Sequence, residues 1–427
     1  MLSTANQIIA LLLLLYLISG LILRSRRAKI PIWALMASAA FVTVFTGLVP
    51  SDEIANVIDW QVIMFLIGMF SIVALADTSG LLNYISLKWV SIFKSRLTLV
   101  IASSVLFGLL AAFTVNDTVA LMGPPLAFYF AKAAGLPLQF MFILLAFSLT
   151  IGSVTTPMGN PQNVLIAIGS GMNAPLITFL QYLAIPTAIN LIITPIILFK
   201  VFKIKNAKVE TGFIPSEHIK NFRDAILGGV GIVLVVCILL ANDILSIYGL
   251  PHIREYGFIP FVIASILYLL SSNPREILRH IDWGTILFFI TMFITMEGIW
   301  RTSLVKELIS IIPIIGSGIL GKIFNITFAS ILFSQILSNV PFAKFYVEYL
   351  KATSFSTPTQ IEWITLAMAS TIAGNLTLLG AASNIIIIEY LESYYNTTIS
   401  FKEFFKYGLI TTTLNTIIYI IYIIFTL

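Results

Sequence analysis

Long apolar runs recur along the chain, each near the length of about 20 residues that a helix needs to cross a bilayer. The runs are continuous rather than alternating, which predicts helices and excludes a transmembrane barrel. The predicted spans lie near residues 6–23, 31–49, 59–77, 139–169, 176–199, 225–241, 258–272, 282–300, 362–390 and 406–426. Two other apolar regions, 97–131 and 317–350, are expected to enter and leave on one side as re-entrant hairpins. Residues 81–94 and 303–312 are too short to span and are predicted to be interfacial helices.

The positively charged residues predict the orientation of these spans. Lysine and arginine are concentrated in four short connections, which are residues 24–29, 200–223, 275–279 and 402–406. The excess of positive charge marks all four as cytoplasmic and places both termini outside. Because the first apolar run lacks a preceding basic stretch and is followed by RSRRAK, it is expected to be a retained anchor rather than a cleaved signal.

Composition supports a cell-membrane protein with many spans. Of the 427 residues, 59% are hydrophobic and only 10% are charged, and the mean hydropathy is +1.01, whereas soluble domains carry about 25% charged residues. The net charge of +5 lies mostly in the short connections and therefore does not indicate nucleic-acid binding. A single cysteine, Cys237, excludes an intrachain disulfide and a thiolate metal cage.

An internal repeat divides the chain. The segment IDWQVIMFLIGMF begins at Ile58, and IDWGTILFFITMF begins 223 residues later at Ile281. The same spacing relates Asn116 to Asn339, and a spacing of 221 relates GNPQN (159–163) to GAASN (380–384). Because the charge rule makes the two IDW spans run in opposite directions, we predict two inverted repeats, as in many secondary transporters. The alternative is that two similar helices meet a common packing need.

This symmetry predicts a first repeat over residues 1–203, a cytoplasmic linker over 204–223 and a second repeat over 224–427. The predicted fold class is an all-α polytopic membrane protein. Each repeat contains about five spans, one re-entrant hairpin and broken helices.

Four segments combine glycine, proline or asparagine with small hydroxyl residues at membrane depth. They are FTVNDTVALMGPP (113–125), GSVTTPMGNPQN (152–163), SQILSNVPFAK (334–344) and AGNLTLLGAASN (373–384). Non-helical backbone is tolerated at this depth only where it is buried in protein or lines a polar cavity. We interpret the first and third as hairpin tips and the others as breaks within spans. The alternative is that they merely kink packed helices, with Asn and Ser bonding one helix to another.

Helix ends at such breaks present free amide groups and a positive dipole end, which suit an anion or a polarised hydroxyl group. Asparagine and threonine add neutral donors and acceptors. The two tips and two breaks are therefore expected to meet near the midplane and bind a solute. The candidate substrate-binding residues are Asn116, Thr118, Thr155, Thr156, Gly159, Asn160, Asn163, Ser338, Asn339, Asn375, Thr377, Gly380, Ser383 and Asn384.

Asp117 is the candidate for proton coupling, because a carboxylate inside the membrane is costly and usually functional. Burial favours the neutral form of a carboxyl group, so such a residue can load and release a proton. The repeat places Val340 at the equivalent position. The alternative role is a hydrogen-bonded cap for the following helix. Glu297 is expected to pair with Arg301 one turn later.

These motifs resemble the ion transporter superfamily, and they are most similar to its arsenite-efflux, citrate–proton symporter and silicon-efflux branch. The residues that carry the likeness are Asn116-Asp117, TPMGNPQN (156–163), SNVP (338–341) and GNLTLLGAASN (374–384). The resemblance covers essentially the whole chain. It implies a scaffold domain and a transport domain that moves as an elevator, usually within a homodimer. In the related sodium–dicarboxylate branch each tip carries Ser-Asn-Thr, a pattern that this chain lacks, which favours H⁺ over Na⁺ as the coupling ion.

The leading hypothesis is a proton-coupled secondary transporter of a small oxyanion, a hydroxylated metalloid such as arsenite, or a carboxylate. The alternative is a sodium/proton antiporter that uses the same carboxylate. An intramembrane enzyme would need a nucleophile–base or metal constellation, which we do not find in the sequence, and a channel would not need one shared site between inverted halves. No cofactor is expected. No nucleotide-binding motif occurs in the chain, so an ATPase drive would need a separate subunit.

Overall fold

In the computed structural model, residues 4–27, 31–209, 219–304, 307, 318–353 and 359–427 are described. Their regular structure is helical, apart from an isolated bridge between Ser95 and Lys208. The first half contains α1 (Thr4–Arg27), α2 (Ile32–Phe45), α3 (Ile54–Val57), α4 (Trp60–Thr78), α5 (Leu81–Val90), α6 (Arg96–Thr114), α7 (Asn116–Ala134), α8 (Leu138–Ser153), α9 (Pro161–Ser170) and α10 (Pro175–Val201).

The second half contains α11 (Phe222–Ile247), α12 (Phe258–Leu270), α13 (Pro274–His280), α14 (Trp283–Arg301), α15 (Gly318–Leu337), α16 (Asn339–Thr353), α17 (Gln360–Ile372), α18 (Ala382–Tyr395) and α19 (Phe401–Phe425). The order of long and broken helices is the same in both halves. The predicted interfacial helix at 81–94 is α5, whereas the one at 303–312 lies largely outside the described residues.

Within the described residues, seven helices are long and apolar enough to cross a membrane. They are α4, α6, α10, α11, α14, α15 and α19. The predicted spans at 139–169 and 362–390 are each divided into two shorter helices, α8 with α9 and α17 with α18. The prediction of an all-α protein with multiple membrane spans is therefore confirmed.

The repeat recurs in the detail of the backbone. Val115 (φ 68°) joins α6 to α7, and Ser338 (φ 69°), 223 residues later, joins α15 to α16. Asp59 caps α4 by accepting hydrogen bonds from the amides of the next turn, and Asp282 caps α14 in the same way. The halves are interleaved, because α2 packs against α14 while α12 packs against α4.

The two hairpins each turn through a single residue. The helices α6 and α7 pack along one another, as do α15 and α16. A helix of the length of α6 extends about 28 Å, so length alone does not distinguish a hairpin arm from a span. The buried one-residue turn at Val115 is the feature that brings the chain back into the protein interior.

The centre of the molecule is formed by the two helices that precede the breaks. In α8 every side chain from Phe140 to Ser153 is buried, and in α17 every side chain from Ile361 to Ile372 is buried. Gly152 of α8 lies directly against the backbone of Gly108 in α6, where an added Cβ would come within 2.1 Å of a carbonyl oxygen. The broken segments that follow α8 and α17 are thus anchored in the most tightly packed part of the fold.

Candidate functional site

A central cavity of about 60 Å³ lies where the four broken segments meet. This volume exceeds the space needed for one water molecule and suits a small solute. Its walls are Ile32, Asn116, Asp117, Pro161, Gln162, Thr285, Phe288, Phe289, Ser338, Asn339, Val340, Ala381, Ala382 and Ser383. Each tip and each break contributes residues, so the structure brings all four segments to one place.

Four helices begin at the central cavity. Their first residues, Asn116 of α7, Pro161 of α9, Asn339 of α16 and Ala382 of α18, all line it. No side chain caps α7 or α18, which leaves their first amide groups available to a ligand. Four positive dipole ends pointing at one volume make a region that attracts negative charge and oxygen atoms.

The first tip carries the acid. Asn116 is buried, and its Oδ1 has no hydrogen-bond partner among the described residues. Asp117 follows it and is the one formally charged side chain among the described lining residues. Asp282 at the start of α14 is close enough to interact electrostatically with Asp117. Thr118 is partly exposed and does not line the central cavity.

The first break is held together by its own polar residues. The side-chain amide of Asn163 donates to the carbonyls of Ser153 and Thr156, both at 3.0 Å. The oxygen of Asn160 accepts from the amide of Asn163 at 2.8 Å and so caps α9. The hydroxyl of Thr156 donates to the carbonyl of Ala112 in α6. These bonds satisfy backbone groups that the break would otherwise leave unpaired.

The second break repeats this arrangement with one addition. Asn384 donates to the carbonyls of Gly374 (2.7 Å) and Thr377 (3.2 Å), as Asn163 does in the first half. Gln335 of α15 accepts from the hydroxyl of Thr377 at 2.8 Å and donates to the carbonyl of Ala373 at 2.8 Å. The second hairpin is therefore bonded directly to the second break.

The second tip differs from the first in charge. Ser338 and Asn339 line the central cavity, and the Oδ1 of Asn339 is buried without a partner among the described residues. Val340 occupies the position that Asp117 has in the first half. The polar atoms of this tip are neutral, so the carboxyl group of the central cavity comes from one repeat alone.

The candidate residues fall into two groups by position. Those that line the central cavity are Asn116, Asp117, Ser338, Asn339 and Ser383. The others lie outside the lining. Thr118 is in the first turn of α7, and the rest lie in the two breaks and are Thr155, Thr156, Gly159, Asn160, Asn163, Asn375, Thr377, Gly380 and Asn384. Gly159 and Gly380 lie where an added Cβ would meet backbone carbonyls at 2.2 and 3.0 Å.

Some lining residues were not among the predicted ones. Gln162 lies within the GNPQN motif, whose other amides drew attention first. Thr285, Phe288 and Phe289 come from the first two turns of α14, and Ile32 begins α2. The acid at Asp282 just before α14 is the sequence signal that could have indicated this wall.

Two other acids within the helices, Glu297 and Glu348, have a cationic partner. Arg301 contacts Glu297 at 2.9 Å, as predicted, and also Glu53 at 2.7 Å. Lys344 contacts Glu348 at 2.8 Å. These pairs leave Asp117 as the acid that faces the central cavity.

Comparison with known proteins identifies the family to which this chain belongs. The sequence matches the family described as "Citrate transporter" over residues 14–371, which is most of the chain. The chain belongs to the citrate transporter family. It is accordingly a secondary transporter in the membrane, and the family implies a small-molecule or ion substrate rather than catalysis.

Curated relatives of this citrate transporter family member span nearly its full length. A 46 kDa membrane protein of Mycobacterium leprae is 25% identical over 94% of both chains. An uncharacterized transporter of Mycobacterium tuberculosis is 26% identical over 86% of both chains. A Dictyostelium discoideum protein named "Putative transporter arsB" is 25% identical over 88% of this chain and 84% of its own length.

A solved structure has the same fold. The YdaH transporter of Alcanivorax borkumensis, described as having an unusual topology, superposes with a TM-score of 0.58. It covers 88% of this chain and 89% of its own, at 10% sequence identity. At this identity the similarity concerns the fold alone.

Proposed function

We propose that this chain transports a small oxygen-rich solute, namely an oxyanion, a hydroxylated metalloid or a carboxylate, and that proton binding at Asp117 drives the transport. The observation that carries the proposal is the meeting of four helix N-termini and one carboxylate in a cavity whose described walls contain no basic side chain. The dipole ends attract the oxygens of the solute without a fixed positive charge.

A carboxylate in this position can act as a switch. When Asp117 is ionised it repels an anionic solute, and when it is protonated the repulsion ends and the acid becomes a hydrogen-bond donor. Loading of a proton and loading of a solute are therefore favourable together. This link gives proton–solute coupling without any covalent step.

The experiment is transport into proteoliposomes that contain the purified chain. Citrate, arsenite and sulfate are each supplied under an imposed pH gradient and, separately, a sodium gradient, while a pH dye reports internal proton movement. We expect uptake of at least one of these solutes together with protons. If none of them moves protons under either gradient, proton coupling is refuted.

A sodium/proton antiporter is the second candidate. Asn116, Asn339 and Ser383 have buried side-chain oxygens without a partner among the described residues, and such oxygens are the kind of ligands that a hard cation prefers. Sodium-dependent proton movement in the same vesicles, without any added solute, would favour this candidate over the first.

We further propose that the hairpins and breaks form a transport domain, which moves against a scaffold within a homodimer. The support for this proposal is the resemblance together with the packing described above. Residues 1–203 and 224–427 would be the two inverted repeats, joined by the linker 204–223.

A further inference from the structure

A second cavity of about 290 Å³ lies apart from the central one and shares none of its lining residues. It is enclosed by the start of α4 at Gln61, the α9–α10 connection at residues 171–174 and the α11–α12 connection at residues 248–257. The helix α10 runs from the first connection to the linker 204–223, and α11 runs from the linker to the second connection. Each connection therefore lies at the opposite end of a long helix from the linker. The second cavity therefore opens on the face opposite the linker, which the charge rule makes the outside.

The repeat relates this second cavity to the mouth of the central one. The central mouth is formed by the starts of α14 and α2, at Thr285 and Ile32. The second cavity is formed by the start of α4 and the residues just before α12. Across the repeat, α4 is the equivalent of α14, and α12 is the equivalent of α2. The two openings thus lie on opposite faces of the molecule.

The lining of the second cavity is polar and positive. Arg254 and His252 lie on its rim, and Asn173 and Gln61 add side-chain amides. The guanidinium of Arg254 makes no ion pair with any described residue, and the described lining contains no carboxylate. Unpaired positive charge with amide donors is the chemistry that recognises a carboxylate or an oxyanion.

A buried hydroxyl group provides an independent sign of a ligand. Tyr256 lines the second cavity with its side chain 6% exposed, yet its hydroxyl has no hydrogen-bond partner among the described residues. Its ring lies parallel to that of Phe65 in α4, at 6.3 Å between centroids. A buried hydroxyl group left unpaired is costly, and a bound acceptor would remove that cost.

The loop that carries these groups is held in place. The side chain of Asn242 donates to the carbonyl of Ile253 at 3.1 Å and accepts from its amide at 2.7 Å. These two hydrogen bonds between Asn242 and the backbone of Ile253 hold the loop in place immediately before Arg254. The neighbouring acid, Asp243, accepts from the amide of Ile177 at the start of α10 through Oδ2. Its Oδ1 is buried without a partner among the described residues, and the carboxyl group is close enough to interact electrostatically with Tyr256.

We propose that the second cavity is a binding site for a small carboxylate or oxyanion, held by Arg254 and the hydroxyl of Tyr256. The site does not depend on proton coupling at Asp117. It places an anion-recognising chamber at the face where the central cavity is closed.

Thiol labelling tests this proposal in the full chain. In a Cys237→Ser background, Met172→Cys places a reporter thiol at a partly exposed position in the lining of the second cavity and leaves the amides of Asn173 and Gln61 in place. Its reaction with a membrane-impermeant maleimide is followed in right-side-out vesicles with and without millimolar citrate or phosphate. We expect one of these anions to slow labelling several-fold. Ser51→Cys, on an exposed segment outside the cavity, serves as the control reporter and should be unaffected.

Substitutions in the second cavity test whether the anion slows labelling by binding there. Arg254→Gln should abolish it, Tyr256→Phe should weaken it and Arg254→Lys should retain part of it. Asp117→Asn, which removes the proposed coupling group, should leave it intact. Absence of protection by either anion would overturn the proposal. Protection that survives Arg254→Gln but disappears with Asp117→Asn would also overturn it, because the anion would then act through the central cavity.

Discussion

Asp117 is distinguished by its surroundings rather than by its type. Glu297, near the end of α14, has Arg301 as a partner, whereas Asp117 faces the central cavity beside the oxygen of Asn116, which has no partner among the described residues. An acid without a cation in a low-dielectric site readily exists in the neutral form. This property is what a proton-loading group needs.

Replacement of Asp117 by Asn should therefore separate binding from coupling. The amide keeps the size and polarity of the side chain but cannot release a proton, so gradient-driven transport should fall at least tenfold while solute binding persists. Proteoliposome uptake measures the first quantity and a thermal-shift titration measures the second.

Glu297→Gln is the matched control for this experiment. It removes a carboxylate of α14 that lies outside the central cavity, and Arg301 retains Glu53 as a partner. Coupled transport should persist in this variant. Full gradient-driven transport by Asp117→Asn would remove Asp117 from the mechanism.

At the scale of single residues, the sequence predicted the types of side chain at the site better than their directions. Asn116 and Asn339 line the cavity as expected, but the amide of Asn163 is directed at carbonyls within its own break. The direction depends on how the unwound backbone folds back on itself. That path is set by distant packing, which local residue patterns do not encode.

At the scale of elements, each of the two breaks has an ordered backbone that is held by its own hydrogen bonds. Asn163 and Asn384 each bridge two carbonyls in the turn that precedes the next helix. Removing either side chain would leave buried carbonyls unpaired, at about 1–3 kcal/mol each.

Asn163→Ala and Asn384→Ala should each lower the free energy of unfolding by about 2–6 kcal/mol on that basis. The measurement is the apparent melting temperature of the purified protein without substrate. Gln162→Ala is the control, because that side chain makes one long bond of 3.4 Å to Thr371. Equal melting temperatures for all three variants would contradict the bridging role.

The close approach of α6 and α8 gives a second prediction for the elements. In Gly152→Ala, a Cβ would lie 2.1–2.4 Å from the backbone of Gly108, which neither helix can accommodate without moving. We expect a large loss of folded protein, measured by fluorescence-detected size exclusion. Gly229→Ala is the control, because its Cβ would meet only the end of Leu81 at 3.1 Å. Normal yield of Gly152→Ala would show that α8 has another position available.

The extent of non-helical backbone at the first hairpin tip, residues 113–125, could not be judged from its sequence. The proline pair of MGPP suggested unwound backbone up to residue 125, yet Pro124 and Pro125 lie inside α7. Gly123 packs against Leu145 of α8, and this contact helps to keep α7 continuous where two backbone donors are missing. Only Val115 leaves the helical conformation, because tertiary packing outweighs local preference.

For the whole molecule, the internal repeat could be recognised in the sequence because identical residues recur at a fixed spacing. The sequence could not predict on which side of the molecule the central cavity opens. Thr285 and Phe288 of α14 border the central cavity, while their repeat equivalents in α4, Val62 and Phe65, are fully buried. A symmetric sequence pattern cannot show which of two equivalent surfaces is open. The asymmetry places the mouth of the central cavity on the side of the basic connections.

Accessibility should follow this asymmetry. In a Cys237→Ser background, Thr285→Cys should react with an impermeant thiol reagent in inside-out vesicles and be protected in right-side-out ones. Val62→Cys should be protected in both until a substrate gradient drives the opposite conformation. Equal labelling of Thr285→Cys from both sides would indicate a continuous pore rather than alternating access.

The four helix starts at the central cavity have a consequence for how cargo preference can change. Their attraction for oxygen comes from peptide groups, which no substitution removes while the chain still folds in this way. Mutations at Gln162, Val340 or Phe289 can reshape the walls and leave that attraction in place. Selection could thus exchange one cargo for another through a few wall positions, and family members that share this backbone need not carry the same solute.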